Sequence, residues 1–178
     1  IEGENVAHVL GYVGSVTDED LKNPEINYYR NEVVGKTGLE TKYNQYLRGT
    51  PGVRTFLVNR KEVVTKQNKN ISAIAGNNLI TNIDAKLQAA VERSLEAAVK
   101  RARASGYRGD SGAAVVLEIK TGRVLAMASY PTYDPSIWQK GLTVKQAEDL
   151  FSEAKGVPAL SRPLQGLFAP ASTFKSIS

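Results

Sequence analysis

The sequence contains no cysteine, which removes a disulfide framework, a thiolate zinc site and a cysteine nucleophile from consideration. Histidine is almost absent as well. His8 is the only one in 178 residues, so a Ser-His-Asp triad would have to be built on it. It stands in a short apolar stretch, VAHVLGYVG, far along the chain from any candidate nucleophile, and reads as a structural histidine, packed or on the surface. A histidine-based metal site is equally poorly supplied. No run approaches the roughly 18 apolar residues that cross a bilayer, and no signal peptide is present. The chain opens on Ile1 without an initiator Met, from which an upstream segment, left off or removed, is expected. Internal repeats and low-complexity stretches are also missing.

What is present is ordinary for a globular protein. Hydrophobic residues make up 42% and charged residues 23%, enough to bury a core in one large domain or two small ones. A net charge of +5 suggests a nucleic-acid partner only until its distribution is read. Lys100, Arg101, Arg103 and Arg108 gather at the end of a predicted helix, where cations complement the helix dipole. There is no interleaving of aromatic and basic residues of the kind that stacks bases, and no nucleic acid is expected. An anionic membrane surface or cell-wall polymer suits a mildly basic protein equally well.

Periodicity divides the chain near residues 75–79 into two expected domains, 1–76 and 77–178. In the first, HVLGYVGSV predicts a glycine-interrupted strand, and SVTDEDLKNP a capped turn or short helix ended by Pro24. Thr37 and Glu40 have capping-box spacing ahead of a helix that places Leu39, Tyr43, Tyr46 and Leu47 on one face. VRTFLVNRKEVV predicts a strand pair turning at Asn59 to Lys61. Few large apolar residues occur here, so an extended shape is expected. In the second domain, NNLITNID predicts a short strand leading to Asp84 as N-cap of an amphipathic helix, with Leu87, Val91, Leu95, Ala98 and Ala102 on its apolar stripe. SGAAVVLEIKTGRVLAMASYP predicts two strands around a Lys-Thr-Gly turn, apolar on both faces and therefore buried on both. Thr143 and Gln146 have capping-box spacing for a further helix, and the last stretch leads through Pro170 into a helix beginning near Ser172.

That last helix carries Ser172 and Lys175, a spacing with chemical content. A serine hydroxyl is a poor nucleophile without a base beside it. Residues i and i+3 of a helix lie on one face roughly 5–6 Å apart, so the pair can meet without help from the rest of the fold. In the first helical turn the positive end of the dipole disfavours an ammonium group and helps hold Lys175 neutral, while free N–H groups can serve an oxyanion. By itself Ser-x-x-Lys is a weak pattern, which a capping serine and a solvated lysine satisfy in many proteins.

The context is more specific. PASTFK resembles the Pro-Gly-Ser-Thr-Phe-Lys box of the penicillin-binding proteins. SRPLQGLFAP is similar to the approach to that box. SGAAVVLEIKTGRVLAMASYPTYDPSIW is similar to the family's first strand pair and following loop, and LITNIDAKLQAAVERSL to the helix opening its transpeptidase domain. VVGKTGLETKYNQYLRGTPG resembles the motif of the pedestal, or dimerisation, domain of the class B, monofunctional members. The matches are collinear over nearly the whole chain. The resemblance implies an α+β fold: an extended, strand-rich pedestal domain at 1–76, then at 77–178 the beginning of a transpeptidase domain, a sheet flanked by helices, incomplete in this chain. It implies a peptidoglycan D,D-transpeptidase in which Ser172 attacks the D-alanyl-D-alanine carbonyl, Lys175 takes the serine proton and the Ser172 N–H donates to the oxyanion. β-Lactams would acylate the same serine. No metal or organic cofactor is implied. The implied setting is the outer face of the cell membrane, with the anchor upstream of Ile1 and with stem peptides and cell-wall synthesis proteins as partners.

Two departures qualify the match. Ala171 stands where the family commonly has Gly, a small change. The Ser-x-Asn and Lys-Thr/Ser-Gly boxes that belong downstream of the nucleophile do not occur between Ser172 and Ser178. Lys36-Thr37-Gly38 and Lys120-Thr121-Gly122 do not replace them, one preceding a helix and the other forming a hairpin turn upstream of the serine. The remaining transpeptidase domain is therefore expected as a second polypeptide piece or a missing portion, and the chain alone is expected to be inactive. A non-catalytic cell-wall assembly scaffold and a β-lactam-sensing relative are the alternatives.

Overall fold

The computed structural model describes residues 6–23, 26–169 and 175, with the side chains of residues 67, 68, 139 and 140 left aside. Helices and strands are mixed throughout. In chain order they are α1 (Ala7–Leu10), β1 (Val13–Ser15), β2 (Val33–Gly35), α2 (Gly38–Lys42), α3 (Asn44–Leu47), β3 (Val53–Val58), β4 (Val64–Ile71), α4 (Ala85–Ala104), β5 (Gly112–Leu117), β6 (Val124–Tyr130), α5 (Val144–Phe151) and α6 (Arg162–Gln165). Among the described residues the strands form antiparallel pairs, β1 with β2, β3 with β4 and β5 with β6.

The β1–β2 ribbon is braced from below by polar contacts. The Gly35 N–H donates to Asn44 Oδ1 at 3.0 Å, and Asn44 Nδ2 donates to the Tyr28 hydroxyl at 2.7 Å. Arg48 closes the loop between the strands, donating to Glu32 Oε2 and to the Asn27 carbonyl while its guanidinium lies 4.7 Å over the Tyr28 ring. Gly76 is required where the chain leaves this region, since a Cβ there would lie 1.7 Å from the Leu47 carbonyl oxygen. The β3–β4 hairpin projects from this base. Asn59 holds its turn by accepting from the Lys61 and Val63 N–H groups at 2.9 and 3.1 Å.

In the second half, α4 lies across the β5–β6 hairpin. Asp84 caps it, Oδ1 accepting from the Leu87 N–H at 2.9 Å, and the Asp84 N–H itself donates to the Leu125 carbonyl. Gln88 is fully buried: its amide clasps both the N–H and the carbonyl of Met127 at 2.8 Å and bonds Glu92 at 2.6 Å. Glu92 Oε1 in turn accepts the Val6 N–H at 2.9 Å, which ties the start of the described chain to this layer. An apolar cluster joins Ala7 of α1 to Tyr133 and Leu150, with Ile137, Trp138, Leu142 and Ala159 around it. The α1 turn thus packs with residues 133–159, distant in sequence.

Several local expectations hold. The strand pairs turn at Asn59 and at Lys120-Thr121-Gly122, the Thr143–Gln146 capping box is fully formed, and the two Lys-Thr-Gly triplets are a helix entry and a hairpin turn. Others do not. HVLGYVGSV is a helical turn followed by a strand of only Val13–Ser15, because Ala7 is drawn into the apolar cluster. NNLITNID forms no strand; it finds no ladder partner, and Ile80 is 93% exposed. Thr37 caps α2 without a side-chain bond, Gly38 opening that helix at the non-helical φ of +60°. β5 is not buried on both faces: Ala113, Val115 and Leu117 are exposed and alternate with the half-buried Gly112, Ala114 and Val116.

Candidate active site

The approach to the Ser-x-x-Lys box is built from the end of β6 and the loop after α5. α5 begins in its capping box and ends at Phe151; a 3-10 turn over Glu153–Lys155 follows, and Gly156 and Val157 then take left-handed φ values of +73° and +45°. This reverses the chain into a strap, residues 156–161, that runs back under β6 and enters α6 at Arg162. Ser129, buried near the end of β6, donates through Oγ to the Leu160 carbonyl at 3.1 Å and accepts the Arg162 N–H at 3.3 Å. Arg162 is buried, and its guanidinium donates to the carbonyls of Gly156, Val157 and Leu160.

His8 meets the strap from the other side. Its Nε2 lies 2.7 Å from the Pro158 carbonyl and so donates to it, and its ring sits edge-on to Tyr133 at 5.3 Å. Burial pushes the His8 pKa below the ordinary imidazole value; the Pro158 bond opposes that shift and the Arg162 charge adds to it. Next to it Tyr12 stacks flat on Trp138, the centroids 3.6 Å apart. These side chains, with Ser161, Leu164 and Gln165, line a cavity of about 230 Å³ between α1 and the strap. His8 is thus a structural histidine, as expected, and of the two settings left open, packed or on the surface, it takes the packed one.

Of the two predicted site residues, Lys175 is described and exposed, at a 3-10 position. Ser172 lies outside the described residues, so the structure neither brings the pair together nor separates it. Among the described residues no group of three or more His, Asp or Glu side chains is arranged to hold a metal ion. Sequence reading passed over Arg162, Ser129 and Gln88. The one available signal was an arginine and a proline at the opening of a helix in SRPLQG, which marks a helix start but not a buried cation.

Residues 1–81 match the model of the penicillin-binding protein dimerisation domain, and residues 112–178 match that of the penicillin-binding protein transpeptidase domain. The chain belongs to the penicillin-binding proteins. Among its relatives, the peptidoglycan D,D-transpeptidase MrdA of Escherichia coli (strain K12) is 32% identical over 97% of this chain and 26% of its own length. Penicillin-binding protein 3 of Bacillus subtilis (strain 168) is 35% identical over 99% of this chain and 24% of its own. In solved structures the chain resembles the PBP2 of a complex between PBP2 and MreC from Helicobacter pylori, with a TM-score of 0.75 and 29% identity over 98% of this chain and 30% of that one. Pseudomonas aeruginosa PBP2 in complex with WCK 5153 gives a TM-score of 0.67 at 31% identity, over 97% of this chain and 31% of that one. This penicillin-binding protein chain therefore spans about a quarter of the length of the curated relatives it matches. It joins a dimerisation domain to the start of a transpeptidase domain, in that order, within a mixed helix and sheet fold.

Proposed function

We propose that the protein containing this chain is a class B peptidoglycan D,D-transpeptidase, and that Ser172 and Lys175 are its nucleophile and general base. The observation that carries this reading is the Ser-x-x-Lys box at 172–175 lying within the stretch that matches the transpeptidase family. In the reaction Lys175 Nζ takes the hydroxyl proton as Ser172 Oγ bonds to the carbonyl carbon of the penultimate D-alanine. The C–N bond to the terminal D-alanine breaks and the leaving amine takes up the proton. An amine of a neighbouring stem peptide then displaces the serine, re-forming an amide and freeing the hydroxyl. A β-lactam ring offers the same carbonyl and leaves an acyl-serine.

The pedestal is assigned to residues 1–76 and the transpeptidase portion to 77–178. These residues hold one of the three boxes that the chemistry uses, so acylation belongs to the assembled domain and not to residues 1–178 alone. The site is placed on the outer face of the cell membrane, with the anchor outside these residues; among the described residues no helix is long and apolar enough to cross a membrane. Cell-wall synthesis proteins are the proposed partners, which is supported by the solved complex of a similar PBP2 with MreC. The test is labelling of the intact protein by a fluorescent penicillin. Label is expected on the Ser172 peptide and lost in Ser172→Ala, whereas label retained in Ser172→Ala overturns the nucleophile assignment.

A further inference from the structure

We infer that Arg162 is a positioning residue for the nucleophile, fixing the strap from which the chain runs on to the Ser-x-x-Lys box. This rests on the transpeptidase reading above. The side chain is only 6% exposed, and its bonding partners are neutral: the carbonyls of Gly156, Val157 at 3.2 Å and Leu160 at 3.3 Å. Among the described residues no carboxylate pairs with it at salt-bridge distance. The Asp110 carboxylate acts on it only through its charge, at longer range, and a buried cation without a hydrogen-bonded counter-ion adds little stability, since an apolar side chain of the same volume commonly does as well or better. What an apolar residue cannot supply is a rigid planar fork of donors able to hold several carbonyls in one arrangement.

The strap needs such a hold. Val157 is β-branched and sits at φ +45°, directly after Gly156 at +73°, a conformation that valine leaves unless its surroundings impose it. The carbonyls of this segment turn inward, Gly156, Val157 and Leu160 to Arg162, Leu160 also to Ser129 Oγ, and Pro158 to His8 Nε2. Arg162 is the donor common to most of them, and it is also the first residue of α6, which packs on β5 and β6. Gly166, closing α6, donates its N–H to the Arg162 carbonyl at 2.9 Å. Residues 166–169, which in sequence lead toward Ser172, thus leave α6 from a turn that the guanidinium holds.

The experiment compares wild type, Arg162→Lys, Arg162→Met and Ser129→Ala in the intact protein. It follows acylation by a fluorescent penicillin as a function of its concentration, so that the acylation rate constant at saturation separates from the preceding binding constant. Melting temperature is recorded alongside. Arg162→Lys is expected to keep its melting temperature within a few degrees while the saturated rate constant falls roughly tenfold and binding stays within about twofold, since misplacing a reacting group by an ångström costs on that order or more. Arg162→Met, which fills the space without donors, should be slower still. Ser129→Ala, which frees the Leu160 carbonyl on one side only, should fall about threefold by the same reasoning. A wild-type rate constant in folded Arg162→Lys overturns the inference. If both Arg162 variants fail to fold, Ser129→Ala decides, and a wild-type rate there overturns it equally. A wild type that takes no label, or takes it on a residue other than Ser172, brings down the transpeptidase reading and this inference together; a labelled Ser172 with indifferent variants brings down this one alone.

Discussion

The β3–β4 and β5–β6 hairpins share a plan, two antiparallel strands closed by a short polar turn, and yet one is bare and the other covered. On β3 every residue after Val53 is exposed, and Phe56, Leu57 and Val58 face solvent with Val63 and Val64 at the turn. On β6 the small side chains of Ala126 and Ala128 are completely buried, which lets α4 approach closely enough for Gln88 to clasp the Met127 backbone. The composition of the strands accounts for the contrast. β4 carries Lys66 and Lys69, lysines that discourage edge-to-edge pairing and keep an uncovered hairpin in solution. β6, LAMAS, offers no charge at all. Strand propensity is similar in both; what differs is whether a helix with a matching polar clasp is available to lie on the sheet.

The largest expected effect sharpens this contrast. Gln88→Leu keeps the volume but leaves the Met127 N–H and carbonyl buried without a partner, which should cost about 3 kcal/mol. Phe56→Ala removes a larger side chain, but one 45% exposed, and should cost less than about 1 kcal/mol. Urea unfolding of the two variants beside wild type measures both. Equal losses would mean that the β3–β4 hairpin is held by packing as strongly as the α4 layer, and the contrast would collapse.

A smaller effect tests the same division at helix ends. Thr143 accepts the Gln146 N–H at 3.2 Å while Gln146 Oε1 returns to the Thr143 N–H at 2.9 Å, so Thr143→Ala should cost about 1 kcal/mol. Thr37 has the same spacing to Glu40 but makes no cap bond, and Thr37→Ala should change stability by less than about 0.5 kcal/mol. A loss at Thr37 matching that at Thr143 would show that α2 depends on a cap after all. The unfolding midpoints of the two alanine variants settle it.

These cases also show what a sequence can and cannot tell. Thr143 and Thr37 look identical as patterns. They part only because Gly38 takes φ +60° beneath the closely packed Gly11, a long-range constraint that spacing does not encode. The Asp84 cap, both hairpin turns and the α4 stripe at Leu87, Val91, Leu95 and Ala102 were legible, since each depends on neighbours within a few residues, but Ala98 is exposed and Val99 is buried in its place. The position of α1 was not: HVLGYVGSV reads as strand, but its first residues join the helical turn that Ala7 anchors on Tyr133 and Leu150, over a hundred residues away. At the site, the box and its approach were legible as motifs. The buried roles of Gln88, Ser129 and Arg162 were not, because a polar residue reads as exposed unless its backbone partners, remote in sequence, are already known.

Acid should separate the two regions by pH. His8 is held below its ordinary pKa of 6.5, chiefly by burial and in part by the Arg162 charge, against the opposing bond to the Pro158 carbonyl. A depressed folded-state pKa means that the unfolded chain takes the proton first. The stability is therefore whole above pH 6.5 and drains as the pH falls below it, by at most about 1.4 kcal/mol per pH unit. In the β1–β2 region Asp20, bonded by Lys36 and by the Thr17 N–H, is lowered from 3.8 to about 2. Its contribution is present above pH 3.8 and is lost only as the pH falls toward 2. Trp138 is the single tryptophan and stacks on Tyr12 beside His8, so its fluorescence reports the seam between α1 and the strap. Between pH 7 and 5 the urea midpoint followed at Trp138 should fall in wild type and fall less in His8→Gln, a neutral side chain with an amide that can still donate to Pro158. Asp20→Asn should leave that slope unchanged and flatten only the decline below pH 3.8. Identical slopes in wild type and His8→Gln would remove His8 as the acid-sensitive element of the seam.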